Sequence, residues 1–250
     1  MSTALLVLSL TSQGTANAAA DDDVVQVDAT SASTSVSAKA VTVNCPSGTK
    51  VVGTGGSVTG ERTTITRVRP SGDLSSVEVA AVEHGAGTVL PWTVSVWARC
   101  AAGEFTLVAK SGTRNAEATC PDTQKSLGVA GEIAGADGGH FTRMSPKTNL
   151  KGGVVETSGN ADVTAYAICG TRPGLVVRGG TTSIMMTKTG TKAVACQGGE
   201  QVVSAGGAVG GAIIDDVQPV GAGASVTGEA TDAQGQAIRW SITPYVVCSQ

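Results

Sequence analysis

Three stretches of the chain alternate apolar and polar residues with a period of two, and each ends on a cysteine. In residues 92–100, Trp92, Val94, Val96, Ala98 and Cys100 fall on one face of an extended strand, with Thr93, Ser95, Trp97 and Arg99 on the other. The second stretch sets Val163, Ala165, Ala167 and Cys169 against Asp162, Thr164 and Tyr166. The third sets Trp240, Ile242, Val246 and Cys248 against Ser241, Thr243 and Tyr245. The cysteine-bearing face is the apolar one, so it faces the core and takes Trp92 and Trp240 with it. No convincing amphipathic helix interrupts these patterns, and they predict an all-β protein.

The strands recur in a frame. Opening cysteines stand at 45, 120 and 196, and closing cysteines at 100, 169 and 248. Eleven residues after each opening cysteine comes a glycine (Gly56, Gly131, Gly207), and thirteen after comes Val58, Ile133 or Val209. Pro70, Pro146 and Pro219 follow at similar offsets. Three residues before the closing cysteines stand Trp97, Tyr166 and Tyr245, and eight before stand Trp92, Ala161 and Trp240. Such self-similarity is the mark of internal repeats, here residues 41–114, 115–191 and 192–250. Spacing alone cannot choose among the connectivities open to six cysteines. Repeat symmetry selects Cys45–Cys100, Cys120–Cys169 and Cys196–Cys248, one staple per unit. Loops of this length stabilise by about 4 kcal/mol each on a chain-entropy estimate.

An apolar strand follows each of the first two units, Phe105–Val108 and Leu175–Arg178, whereas the third unit runs to Gln250. Residues 21–40 therefore have two readings. Val24, Val25 and Val27 either supply the missing strand and close a pseudo-threefold ring, hiding a sheet edge, or form an arm that adds to a partner's sheet. Residues 28–40, small and polar, read as a flexible linker. Before them, residues 1–20 carry no charged side chain, an apolar run at 4–10 and Ala-x-Ala patterns ending at Ala18 and Ala20. This is the form of a secretory leader and places the mature protein outside the cell, where disulfides persist.

Composition narrows the function. Lys+Arg number 17 against 20 Asp+Glu, a net charge of -3, and charged residues are only 15% of the chain. That balance argues against nucleic-acid binding, and no apolar run is long enough to span a membrane. His84 and His140 sit at different offsets in their repeats and read as exposed loop residues, without a nucleophile motif such as G-x-S-x-G. Asp21–Asp23 and Asp215–Asp216 read as solvated turns, and a His next to Glu83 or Asp137 is weak support for a triad. The pairs Glu78/Glu83 and Glu156/Asp162 do not repeat. Neither a metal nor a cofactor is expected, nor is catalysis. The outward aromatics Trp97, Tyr166 and Tyr245, beside Ser or Thr and with Arg99 near the first, are candidate glycan contacts.

The cysteine–proline opening, Gly-Gly strand and aromatic-x-x-Cys closing resemble repeats of small secreted actinobacterial β-proteins. The threefold plan with terminal-strand closure is similar, over residues 41–250, to the β-prism of vitelline membrane outer layer protein I and some plant lectins. That resemblance implies a Greek-key, β-prism-like body, but no functional residue carries over. A fainter resemblance is to the adaptor subunit of umbrella-shaped antibacterial toxin particles, in which an N-terminal arm docks a lectin-bearing subunit and the β-body holds a toxin subunit. It implies a secreted, non-enzymatic adaptor whose arm is residues 21–40; the other expectation is a lectin-like module.

Overall fold

A computed structural model of the chain describes residues 24–135, 139–230 and 239–250. The expected leader, Asp21–Asp23 and Asp137 lie outside the described residues. Within them the chain forms strands and no helix. The first unit and the segment before it give β1 (Val25–Thr30), β2 (Ala38–Asn44), β3 (Lys50–Thr59), β4 (Thr63–Pro70), β5 (Ser76–Glu83) and β6 (Thr93–Ala101). Then come β7 (Thr106–Thr113), β8 (Asn115–Thr119), β9 (Lys125–Ala134), β10 (Phe141–Pro146), β11 (Gly152–Thr157) and β12 (Asp162–Gly170). The last are β13 (Val176–Gly179), β14 (Ser183–Met185), β15 (Thr189–Ala195), β16 (Gln201–Gly210), β17 (Ala212–Val220), β18 (Gly223–Ala230) and β19 (Trp240–Ser249).

They pair into three sheets of equivalent order. Sheet I runs β1-β6-β3-β17-β18-β15, sheet II β7-β12-β9-β4-β5-β2, and sheet III β13-β19-β16-β10-β11-β8, with β14 also on β19. Each begins with a strap strand, continues with the closing and opening strands of one unit, and ends with three strands of another unit. The units thus exchange strands. The halves join through short ladders in which Gly56 faces Val217, Gly131 faces Val68 and Gly207 faces Met144. This explains the repeated glycine. A Cβ at these positions would come within 2.9 Å of Val79, 2.8 Å of Val155 and 2.6 Å of Val226, side chains that fill the core opposite.

The disulfides are Cys45–Cys100, Cys120–Cys169 and Cys196–Cys248, as the repeat symmetry predicts. Each opening cysteine follows the outermost strand of one sheet (β2, β8 or β15), while its partner lies on a closing strand of another sheet (β6, β12 or β19). Every staple therefore ties two sheets together, and the three pairs of sheets are all tied. Three disulfides accord with an oxidising compartment. No helix of the described residues is long and apolar enough to cross a membrane.

One residue of every opening strand drops out of register with the closing strand: Val52, Leu127 and Val203, each seven after its cysteine. Such a bulge re-aims a side chain. All three are fully buried and share an apolar cluster near the disulfide end. Here the opening strands touch backbone to backbone: a Cβ on Gly53 would lie 2.1 Å from the Val203 carbonyl oxygen. Ser204 Oγ donates to the Leu127 carbonyl at 2.6 Å and Thr54 Oγ1 to that of Val129 at 3.1 Å. Above this junction one core unites all three sheets, with Trp92 and Trp240 buried in it.

The segment before the first unit is built into the fold. Val25–Thr30 pairs antiparallel with β6, from Val25 opposite Cys100 to Thr30 opposite Ser95. It is the strap of sheet I and not a free arm, because one row of its backbone donors and acceptors is already taken by β6. Nor are residues 31–40 a flexible linker. Thr34 bridges Trp92, the Trp92 indole N–H donates to the Val36 carbonyl at 2.9 Å, and the Lys39 ammonium lies 4.7 Å from the Trp92 ring centroid. The same ammonium donates to the Ala32 and Thr34 carbonyls, both at 2.9 Å, and to that of Trp92. A small polar composition suggested mobility; one lysine closing on three carbonyls removes it.

Candidate functional site at the end opposite the disulfides

At the far end of the sheets the chain turns between β3 and β4, leaves β5, and enters β10, β15 and β17. His84 is the first residue after β5, its N–H donating to the Arg62 carbonyl at 2.9 Å. His140 precedes β10, its N–H donating to Ser158 Oγ at 3.1 Å and its Nδ1 lying 3.2 Å from Thr64 Oγ1. The rings meet edge to face, centroids 5.1 Å apart and planes at 70°. Two residues from different units, at unmatched offsets, thus form one half-buried pair and are not separate exposed loop histidines.

The pair stands between two recesses. The larger, about 450 Å³, is also lined by Glu61, Arg62, Lys188, Ile213 and Glu229, among others. The smaller, about 250 Å³, adds Thr64, Thr66 and Glu83. Lys188 and Glu229 form an ion pair at 3.1 Å. Burial holds both imidazoles below their ordinary pKa; Glu229 works against this at His84, while His84 adds to it at His140. Both rings are therefore neutral in neutral solution, able to donate at one nitrogen and accept at the other.

Beside this end Asp215 and Asp216 lie inside β17 and not in a solvated turn. Asp215 is the residue that drops out of register between β17 and β18, as Thr66 and Thr142 do at the matching places of β4 and β10. Burial, reinforced by the charges of Glu229 and Asp216 and opposed by Lys188, pushes its carboxyl up to about 8. Asp216 is raised to about 7, chiefly by burial, although Gln218 donates to it at 2.8 Å. Asp215 is thus predominantly a neutral acid at pH 7. Perturbed titratable groups gathered around a recess mark a functional-site candidate. Sequence reasoning missed Lys188, Glu229 and the carboxyl of Asp215, since their neighbourhood comes from three units.

The other candidates are dispersed. Trp97, Tyr166 and Tyr245 stand half-buried on β6, β12 and β19, one on each sheet, and make no common site. The Tyr166 hydroxyl donates to Glu132 at 2.8 Å, and Glu132 also pairs with Arg67 and Arg69, so this ring is tied into an ion network. Tyr245 packs on Gly179 of the strap β13. Val24, Val25 and Arg99, however, do come together, lining a recess of about 410 Å³ at the disulfide end. Val27 packs against the core. Among the described residues, ligand atoms of one trio with metal-binding side chains converge, Cys196, Glu200 and Cys248; its cysteines are joined in a disulfide and offer no thiolate. The chain matches no protein-family model and no curated protein.

Proposed function

We propose that this chain is an exported, non-catalytic binding protein that holds a secreted protein partner at the end opposite its disulfides. The observation that carries the reading is the loop after His84, where Val89 is 91% and Leu90 65% exposed. Its first residues, His84, Gly85 and Ala86, line the larger recess. Met186, 67% exposed, stands two residues before the recess-lining Lys188. Apolar side chains left in water beside a recess rimmed by Arg62, Glu61 and Glu229 are the anatomy of a protein-binding hot spot with a polar border. The pairing of β1 with β6 takes residues 25–30 out of use as a free arm, which supports docking at this end instead. Export is supported by the charge-free leader and the three disulfides, and the three equivalent sheets support a β-prism-like body. The adaptor role within a toxin particle rests on the sequence resemblance.

A double variant, Val89→Asp with Leu90→Asp, is expected to lose at least tenfold in affinity for a partner captured from native culture fluid, with an unchanged Tm. Retention of that partner by the variant would refute the reading.

A second reading, glycan binding, is favoured by one feature of sheet I. Across its six strands, Thr30, Ser95, Ser57, Asp216, Thr227 and Thr191 stand opposite one another in a continuous row. Trp97 is two residues from Ser95 on the same face, a ring for the CH face of a sugar beside groups for its hydroxyls. Trp97→Ala is expected to abolish retention on a glycan array without lowering Tm. A large fall in Tm would make the ring a packing residue.

A further inference from the structure

The three units differ at one corner in a correlated way. In each unit a turn follows the repeat proline (Pro70, Pro146 or Pro219), and a backbone carbonyl of that turn accepts the N–H of the opening cysteine at 2.9 Å: Ser75 for Cys45, Lys151 for Cys120, Ala222 for Cys196. The residue just before that carbonyl is left-handed in all three, Leu74 at φ 60°, Leu150 at φ 58° and Gly221 at φ 54°. Leu74 and Leu150 pay the strain of this conformation and are buried at 1% and 4% exposure. The third turn is shorter, and at its Gly221 no side chain exists to plug the corner. An added Cβ there would meet nothing within 4 Å.

The second difference faces the first. The residue before each closing cysteine is Ile168, Val247 or Arg99. Ile168 is fully buried in the same apolar cluster as Leu74. Val247 is fully buried with Leu150. Where Gly221 replaces the leucine, Arg99 replaces the aliphatic partner, and the recess of about 410 Å³ opens between them, walled by Val24, Val25, Val202 and Ala222. The Arg99 Nε is buried and has no hydrogen-bond partner. Burial lowers its pKa from the ordinary arginine value. Glu200 also lines the recess, but the Arg178 guanidinium engages both its carboxylate oxygens, with Nε at 2.9 Å. The Gln197 N–H adds a third donor at 2.8 Å. Gln201 Oε1 accepts the Val24 N–H at 3.3 Å. The fork of Arg99 is left facing a solvent-open recess, walled on one side by Val24, Val25 and Val202, without a carboxylate ion partner among the described residues.

We propose that this corner is a recognition site for a carboxylate-bearing ligand, the planar anion seated on the Arg99 guanidinium and its aliphatic part between Val24, Val25 and Val202. A guanidinium matches a carboxylate with two parallel hydrogen bonds, and partial desolvation strengthens them. The site is independent of the far-end recess, lying at the other end of the sheets.

The test uses the full isotope-labelled chain and NMR of the Arg99 Nε–H. One arm adds acetyl-Gly-Gly with a free C-terminal carboxylate, a second adds acetyl-Gly-Asp-Gly amide, and acetyl-Gly-Gly amide is the uncharged control. The first two arms distinguish a chain terminus from an acidic side chain as the source of the anion. The expected result is a saturable shift in at least one carboxylate arm and none with the control. Followed on the backbone amides of Val24, Val25 and Val202, which the Arg99→Gln protein retains, Arg99→Gln and Gly221→Leu are each expected to weaken binding at least tenfold. The second variant keeps the charge and fills the recess as Leu74 and Leu150 fill theirs, so its loss separates a built site from simple attraction to a cation. Absence of a saturable shift, an equal shift with the control, or full binding by folded Gly221→Leu protein overturns the proposal.

Discussion

Removal of residues 1–36 is expected to lower Tm by roughly 10 °C or more and to promote self-association. The truncation strips β1 from sheet I and leaves β6 as an unpaired edge with Trp97 and Arg99 beside it. It takes the Val36 carbonyl from the Trp92 indole, which is 1% exposed. It also takes the Ala32 and Thr34 carbonyls from the buried Lys39 ammonium. A buried donor left without an acceptor costs about 1–3 kcal/mol, more when charged, before the lost strand pairing is counted. Calorimetry and size-exclusion chromatography of the two forms provide the check. A free arm, by contrast, would leave both readouts unchanged when removed, so an unaltered Tm would contradict the observed pairing.

Between pH 5 and pH 8, Asp215→Asn is expected to gain on the parent protein in stability, the Tm difference opening by roughly 5–10 °C. The Asp215 carboxyl is raised to about 8 in the folded state from an ordinary value of 3.8. Between those values the folded protein holds this proton and the unfolded chain does not. Unfolding then releases a proton, so the contribution to stability is full below the unfolded pKa and is lost as pH climbs toward 8. Asp216, raised to about 7, acts with the same sign. The two histidines, lowered by burial, act oppositely: the unfolded chain takes up their protons first, so stability is lost as pH falls below about 6.5. The asparagine variant removes the Asp215 contribution alone while keeping its shape. Thermal melts of both proteins over this range decide the matter; a pH-independent difference would mean that Asp215 is ionised in the folded state.

The Val89→Asp/Leu90→Asp double variant and Arg99→Gln test different ends of the molecule. If the double variant lost its partner while Arg99→Gln kept it, the two ends would serve separate ligands. That outcome would make the chain a bridge between two binding partners, which is the physical content of an adaptor.

Much of this fold was legible in the residues alone. Alternation with period two assigned Trp92, Val94, Val96 and Cys100 to the core, because adjacent strand residues must face opposite ways. The recurrence of cysteine, glycine and proline defined three units and selected the disulfide pairing, because equivalent sequences form equivalent bridges. It also offered Val24–Val27 as the strand that completes a sheet. Other features were decided only by tertiary structure. The bulges at Val52, Leu127, Val203 and Asp215 shift the alternation by one residue, and the sequence carries no mark of where a ladder slips. Asp215–Asp216 therefore looked like a turn and is instead half-buried strand. The exchange of strands among units brings His84, His140, Lys188 and Glu229 to one recess, and sets Arg99 opposite Gly221. Local pattern records which way a side chain faces along its own strand; which strand of another unit it meets is settled by how the sheets close on one another.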